Sequence, residues 1–179
     1  PEGGATARLL TELTTDLSDR FDVTTVTGMP NYLYGDRAET VPRRETHEGV
    51  DIVRVPATRL NKDSFPLRII NWMTFTLLTI IRLLRSHRRD DAVVTLSNPP
   101  IVPFAAWLHG RLTGTPYVYL VHDMYPDMAV ELGYLSEWNP VTRLWDWALK
   151  RVYCDADRIV VLGEAMRERL EAKLADEPG

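Results

Sequence analysis

The spacing of apolar residues along the chain switches repeatedly between a helical pattern and a strand pattern. Near the start, Leu10, Leu13 and Leu17 recur at helical spacing, and residues 21–27, rich in Val and Thr, then have the composition of a strand. The predicted strands are residues 21–27, 50–56, 91–96, 116–121 and 158–162; the predicted helices are residues 4–20, 66–86, 101–112 and 140–153, with a last helix from Glu164. Between the first two strands, the polar residues 28–48 predict a surface loop.

This alternation of strands and helices predicts the fold class. Strands separated by helices at this spacing form right-handed βαβ units, so we expect a parallel sheet with helices on both faces. The consecutive apolar residues 116–121 are typical of a strand buried on both faces. Because the chain opens on a glycine loop and a helix, we expect the first strand to be missing. The sequence therefore predicts one doubly wound, Rossmann-like α/β domain over residues 1–179.

Composition and charge narrow the classes of function. A chain of 179 residues that is 45% hydrophobic can bury one sizeable core, which favours a single domain. Its net charge of -4 provides no basic field that would hold nucleic acid. Cys154 is the only cysteine and the four histidines are scattered, so neither an internal disulfide nor a metal cluster is expected. We therefore predict a cytoplasmic protein without a metal, a cofactor or a nucleic-acid partner.

Four short segments lie where a doubly wound sheet binds its ligands. Such sheets bind ligands outside the carboxyl ends of their strands, close to helix N-termini. The segments at those positions are residues 1–5, 97–100, 122–127 and 163–164. We expect all four to meet at one edge of the sheet.

Two glycines, Gly3 and Gly4, precede the first predicted helix. Glycines there let an anion approach the backbone, and the free N–H groups and the helix dipole favour a phosphate or diphosphate. The same pair can instead form a tight turn that requires positive φ. The pattern by itself leaves both interpretations open.

His122 follows the apolar strand 116–121 and is therefore placed at the ligand-binding edge. An imidazole in that position can hydrogen-bond a sugar hydroxyl or exchange a proton. A histidine at a strand end can also be a hydrogen-bonded structural group, but the position favours a functional role. We do not pair His122 with Asp123, because neighbours along a strand point to opposite faces.

Polar residues near His122 are candidates for binding hydroxyl groups. Asp123 and Asp127 flank Pro126 in a stretch too irregular for a helix or strand, so their carboxylates can bind hydroxyls or cap turns. Asn98 belongs to residues 97–100, Ser-Asn-Pro-Pro, in which Ser or Asn can cap a helix and proline fits its first turn. For residues 97–100 capping is the stronger prediction, and a ligand contact is compatible with it.

The helix predicted at residues 66–86 has an apolar body and a basic end. Residues 69–81 carry no charge, a run shorter than the ~20 residues that span a bilayer, so we do not expect this helix to cross one. The basic residues that follow are Arg82, Arg85, His87, Arg88 and Arg89. Residues 66–89 can therefore lie on an anionic membrane, or they can pack on the sheet as a core helix with a solvated end. Apolar residues on more than one helical face leave both interpretations open.

Five segments, in this order, resemble the family 4 glycosyltransferases. The resemblance is strongest to the branch that builds bacterial and archaeal surface polysaccharides and includes fucosamine transferase-like proteins. The segments are PEGGATAR (1–8), VTGMPNY (26–32), SNPP (97–100), HDMYPD (122–127) and IVVLGE (159–164). The resemblance spans nearly the whole chain. It implies the N-terminal, acceptor-side domain of a GT-B fold, with the donor-binding C-terminal domain absent.

The resemblance also implies a reaction and roles for the candidate residues. Such enzymes transfer a sugar from a nucleotide-sugar donor, retain its anomeric configuration without a metal, and often use a lipid-linked acceptor at the cytoplasmic face of the membrane. By resemblance, Gly3 and Gly4 approach the donor diphosphate, and His122 contacts the donor sugar as the catalytic candidate. The acceptor-binding candidates are Asn98, Asp123 and Asp127. Residues 123–127 read Asp-Met-Tyr-Pro-Asp where the family often has Asp-Leu-Trp-Pro-Glu, which leaves the acceptor open.

Two other functions are compatible with the same residues. A sugar-nucleotide epimerase of the GT-B type would also use a glycine loop and a histidine, but the order of the motifs argues against it. A non-catalytic, membrane-recruiting subunit of a split transferase is the second alternative, and we expect trimmed chain ends, which argue against it. On the transferase interpretation, residues 1–179 alone are expected to be inactive.

Overall fold

The computed structural model describes residues 5–29, 41–61, 63–88 and 91–175. Strands and helices alternate along most of these residues, and the predicted α/β class with parallel strands is confirmed. The elements are α1 (Ala5–Ser18), β1 (Thr24–Gly28), β2 (Arg44–His47), β3 (Val50–Val55), α2 (Phe65–Ser86), β4 (Val93–Leu96), α3 (Pro103–Thr113), β5 (Tyr117–Val121), α4 (Asp127–Glu131), α5 (Pro140–Cys154), β6 (Arg158–Val161) and α6 (Glu164–Leu174). Every predicted element is present, with ends shifted by a few residues.

The chain divides into two compact units, and the first comprises residues 1–78. Its three-stranded sheet has the order β1-β3-β2, with β1 parallel and β2 antiparallel to β3. The segment before α2 is held to that helix by Asn71, whose side chain accepts from the backbone N–H of Leu60 and donates to its carbonyl, each at 2.9 Å. These bonds fix the start of α2 within the first unit.

The antiparallel strand β2 falls inside the predicted loop 28–48, so that prediction is wrong at its C-terminal end. The strand forms because Glu48 and Gly49 both have positive φ and make a two-residue hairpin turn into β3. A hydrogen bond from Thr46 Oγ1 to Asp51 Oδ1, at 2.8 Å, connects the paired strands. Residues 30–40 of the same predicted loop lie outside the described residues.

The second unit comprises residues 79–179 and contains an all-parallel sheet of order β4-β5-β6. The central strand β5 is buried along most of its length, as its apolar run predicts. Tyr119 of β5 stacks on Tyr153 of α5 with ring centroids 5.0 Å apart, and Leu149 and Leu170 complete the same core from α5 and α6. This packing fixes the positions of the loops that follow the three strands.

The long helix α2 has the length and composition of a membrane span. Residues Pro66–Ser86 have a mean hydropathy of 1.5, and 11% of the apolar window is buried. Our prediction that this helix does not cross a membrane counted only its charge-free run, whereas the apolar helix extends further. Length and composition therefore do not decide between a span, a helix on the membrane surface and a core helix.

Candidate functional site

Three loops meet at the carboxyl ends of β4, β5 and β6 in the second unit. We call this the carboxyl edge; its loops are residues 97–100, 122–126 and 162–163. Because the three strands are parallel and adjacent, the loops that follow them are neighbours. The edge brings together three of the four segments that the sequence placed there. In the fourth, Gly3 and Gly4 precede α1 and lie outside the described residues.

Ser97 connects the first two loops of the carboxyl edge. Its side chain is 1% exposed, and its Oγ accepts hydrogen bonds from the backbone N–H groups of His122 and Asp123, each at 3.0 Å. These N–H groups follow directly on β5, where the sheet no longer provides a carbonyl for them. The hydroxyl of Ser97 therefore fixes the backbone on which the candidate side chains stand.

The predicted capping role of residues 97–100 is wrong. Helix α3 begins at Pro103, and its N-cap is Val102, which makes no side-chain capping hydrogen bond. Sequence reasoning therefore missed Ser97 as the residue that organises the edge. The available signal was its position one residue after β4, since the parallel register pairs Leu96 with Leu120 and brings Ser97 level with the end of β5.

His122 stands where the sequence predicted, as the first residue after β5. Its side chain is half-buried, and its Nε2 has neither solvent contact nor a hydrogen-bond partner among the described residues. Because this nitrogen is buried, a ligand can hydrogen-bond to it only after the imidazole turns toward the carboxyl edge. The catalytic role of His122 stays a prediction.

The loop that carries Asp123 is anchored on both sides of that residue. The backbone N–H groups of His122 and Asp123 are hydrogen-bonded to Ser97. After Asp123, Met124 is buried in the core and Tyr125 stacks on Trp145 with ring centroids 5.6 Å apart. The peptide bonds before Pro99 and Pro126 are cis. Asp123 is half-buried and Asn98 is exposed, so both side chains are accessible at the carboxyl edge.

Asp127 takes part in an ion-pair network that joins three helices. It is the first residue of α4, and its carboxylate pairs with Lys173 and, at 3.6 Å, with Arg169, both from α6. Lys173 also contacts Asp146 of α5 at 2.5 Å. The stretch that the sequence left irregular therefore ends in a helix, and the charge of Asp127 is neutralised by two cations.

Comparison with known proteins gives the family. The family model of the glycosyl transferase 4-like domain matches residues 3–178. The chain belongs to this family. A probable glycosyltransferase of Pseudomonas aeruginosa, WbjE, is 30% identical to it over 118 residues, which cover 66% of this chain and 30% of WbjE. The resemblance to family 4 glycosyltransferases is confirmed, and the fucosamine transferase-like branch stays a prediction.

We also searched this glycosyltransferase domain for a metal site and for a cavity away from the carboxyl edge. Among residues 5–29, 41–61, 63–88 and 91–175, no group of three or more His, Cys, Asp or Glu is arranged to hold a metal ion. A cavity of about 270 Å³ lies beside the start of β5. The two acidic residues that line it already hydrogen-bond within the protein: Asp155 accepts from Trp107 Nε1 at 2.7 Å, and Asp157 accepts from the Tyr117 N–H at 2.9 Å. The carboxyl edge is therefore the better candidate site.

Proposed function

We propose that this domain is the acceptor-side half of a two-domain GT-B enzyme that transfers a sugar from a nucleotide-sugar donor to a saccharide acceptor in surface glycan synthesis. The observation that carries the proposal is the arrangement around Ser97, which holds the backbone of His122 and Asp123 at the carboxyl ends of parallel strands. Family membership favours sugar transfer over the epimerase alternative. The aligned region covers 30% of WbjE, a fraction compatible with one domain of a larger enzyme.

In the proposed reaction, the bond between the anomeric carbon and the diphosphate oxygen breaks, and its electron pair leaves with the nucleotide diphosphate. The oxygen of the acceptor hydroxyl forms the new bond to the anomeric carbon, and its proton passes to the departing diphosphate oxygen. The anomeric configuration is retained, and no metal takes part. The imidazole of His122 hydrogen-bonds the donor sugar once donor binding has turned its buried Nε2 toward the carboxyl edge, and this hydrogen bond strengthens as charge develops in the transition state.

The acceptor contacts of the proposal come from the loops beside His122. Asn98 and Asp123 offer an amide and a carboxylate that hydrogen-bond sugar hydroxyls directly. Asp127 contributes through lone pairs that Lys173 and Arg169 leave free, since a carboxylate has about four acceptor sites. We therefore rank Asp127 below the other two as an acceptor contact.

The donor diphosphate is assigned to Gly3 and Gly4. Helix α1 begins at Ala5, directly after the pair, so unpaired N–H groups of its first turn and the positive end of its dipole are available to an anion. Both glycines lie outside the described residues, and the assignment rests on their sequence position and on the family resemblance.

A lipid-linked acceptor would require the enzyme to work at a membrane, and α2 supports this. Ile70, Met73, Leu77 and Leu84 are exposed at spacings that place them on one helical face. At the basic end, Arg85 and Arg88 are exposed, whereas Arg82 is half-buried. We propose that residues 66–89 contact the inner face of the cell membrane, which places the transfer reaction on the cytoplasmic side.

The test compares the full-length enzyme with residues 1–179 alone. Both are incubated with a panel of labelled nucleotide-sugars and polyprenyl-linked acceptors, and transfer is followed by the mobility of the labelled lipid. We expect transfer by the full-length enzyme only, with the anomeric configuration of the product, determined by NMR, matching that of the donor. Transfer by residues 1–179 alone would overturn the two-domain proposal. A new nucleotide-sugar formed without acceptor would favour the epimerase.

A further inference from the structure

The exposed face of α5 is apolar or basic along its whole length. The exposed residues of this helix are Pro140, Val141, Arg143, Leu144, Trp147, Arg151 and Cys154. At 100° per residue they fall on one continuous face of the helix, opposite the core residues Leu149 and Val152. We call these seven residues the α5 face.

The loop that leads into α5 adds further exposed apolar side chains. Leu132, Tyr134 and Trp138 are all exposed, and Trp138 is 84% exposed. Single exposed apolar residues are normal on a protein surface, but a run of large ones is typical of an interaction surface. The rings of Trp and Tyr combine an apolar body with a polar edge, which is why they are enriched where membrane and water meet.

The charged residues of the α5 face indicate the charge of the partner that it binds. Both charged residues on the α5 face, Arg143 and Arg151, are cationic, and the Arg151 guanidinium lies 5.8 Å from the ring centroid of Trp147. The acidic residue of α5, Asp146, contacts Lys173 at 2.5 Å and is half-buried. At the two ends of the helix, Glu137 in the preceding loop and Asp155 directly after Cys154 are exposed acidic residues, and Asp155 lies 3.6 Å from Arg111. The face itself is therefore complementary to a negatively charged partner.

We propose that the α5 face rests on an anionic lipid surface. Val141, Leu144 and Trp147 enter the boundary between headgroups and acyl chains, and Arg143 and Arg151 bind lipid phosphates from the rim. The face lies on a different helix from the basic end of α2. The proposal does not depend on the reaction that the enzyme catalyses.

The α5 face contains a residue to which a probe can be attached. Cys154 is exposed, ends α5, and is the single cysteine of residues 1–179. Any cysteine of the full-length protein outside residues 1–179 is first replaced by serine, and the protein is then labelled at Cys154 with the environment-sensitive fluorophore NBD and titrated with phosphatidylglycerol-rich or pure phosphatidylcholine vesicles. We expect a blue shift and a rise in NBD emission with the anionic vesicles only. Replacing both arginines, Arg143→Gln and Arg151→Gln, should weaken vesicle binding roughly 30-fold.

The chain offers a matched control for the apolar contact. Leu144 and Leu112 are each 63% exposed, but Leu112 lies on α3 and has no part in the α5 face. Leu144→Asp should reduce binding of anionic vesicles at least tenfold, and Leu112→Asp should leave it unchanged. The basic end of α2 is intact in all of these variants, so loss of the α2 contact cannot produce this difference.

Several outcomes would overturn the proposal. NBD emission that does not change while the protein still co-sediments with vesicles would place the lipid contact elsewhere. Emission already blue-shifted without vesicles would show that another part of the polypeptide or a protein partner covers the α5 face. Equal binding to both vesicle types would show that charge does not select the lipid. Absence of binding to either type would show that the α5 face does not bind lipid.

Discussion

The buried Oγ of Ser97 accepts a hydrogen bond from the backbone N–H of His122 at 3.0 Å, which joins the end of β4 to the end of β5. The same oxygen accepts from the next N–H, that of Asp123. One hydroxyl thus determines the backbone position of both candidate side chains. A site that depends on precise positioning is sensitive to such a contact, because small displacements of a reacting group slow catalysis strongly.

Ser97→Ala should therefore lower both stability and turnover. The substitution leaves two partly buried N–H groups without their acceptor, and we expect a loss of about 1–3 kcal/mol in the free energy of unfolding. We also expect kcat of the full-length enzyme to fall about tenfold. Thr142→Val is the control, because the buried Thr142 hydroxyl has no hydrogen-bond partner among the described residues. Unchanged kcat in Ser97→Ala would restrict Ser97 to a structural role.

His122→Ala should separate catalysis from folding. If the imidazole supports the transition state, kcat of the full-length enzyme should fall about 10²-fold or more, with little change in melting temperature. His109 provides the matched comparison, because it is 1% exposed and packed within the second unit. His109→Ala should lower the melting temperature and leave the kcat of the folded protein near normal. A lowered melting temperature with near-normal kcat in His122→Ala would show that His122 is a structural residue and not part of the site.

The same buried histidine predicts how stability depends on pH. Burial, and then the neighbouring His87 whose ring centroid is 5.3 Å away, lower the pKa of His109 from its ordinary value of 6.5, while Asp91 acts in the opposite direction. The unfolded chain therefore binds this proton more readily than the folded protein. The stability that depends on neutral His109 should be fully present above pH 6.5. Below pH 6.5 the free energy of unfolding should decrease, by at most ~1.4 kcal/mol per pH unit.

Urea unfolding of the wild type and of His109→Gln, measured between pH 5 and 8, checks this dependence. The wild type should lose stability toward pH 5 faster than the variant, because the variant has no imidazole to protonate. If the two free energies of unfolding change in parallel over this range, protonation of His109 does not limit stability.

Strand β5 and strand β2 show what the sequence could and could not predict about the fold. The apolar residues of β5 identify a buried strand by composition alone. Strand β2 reads Arg-Glu-Thr-His, is mostly exposed, and lies at the edge of its sheet, so its composition resembles a loop. Only the positive φ at Glu48 and Gly49 turns the chain back onto β3, and a Glu at such a position is uncommon.

In the candidate site, too, some features follow from a local sequence pattern and others depend on contacts between distant residues. The position of His122 followed from the end of one strand, which the sequence displays. The role of Ser97 depends on the register between β4 and β5, and the pairing of Asp127 with Lys173 joins residues far apart in sequence. No local pattern contains either contact.

Lys173 should contribute more to stability than the other cations of α6. Its mostly buried ammonium pairs with Asp127 and Asp146, so Lys173→Met leaves two neighbouring carboxylates without their common cation. We expect a loss of about 1–3 kcal/mol in the free energy of unfolding, below the full cost of breaking a buried ion pair because water reaches the carboxylates. Arg167→Met, on an exposed arginine of α6 that pairs with Glu164 and Glu171, should have little effect. Equal losses would show that burial of Lys173 does not matter.

Charge reversal at the basic end of α2 tests the proposed contact of this helix with the membrane. Arg85 and Arg88 are exposed and follow an exposed apolar face, whereas Arg82 is half-buried, so reversing the first two avoids disturbing the interior. We expect Arg85→Glu with Arg88→Glu to weaken co-sedimentation of the full-length protein with anionic liposomes by tenfold or more, since each basic residue near the surface contributes ~1 kcal/mol. Arg20→Glu with Arg59→Glu makes the same change in net charge at exposed arginines outside α2 and should have a smaller effect. High salt should reduce wild-type binding and narrow the difference between the two variants, because it screens exposed charges. Equal binding by the two double variants at low salt would mean that the basic end of α2 faces solvent and that the membrane contact, if present, lies elsewhere.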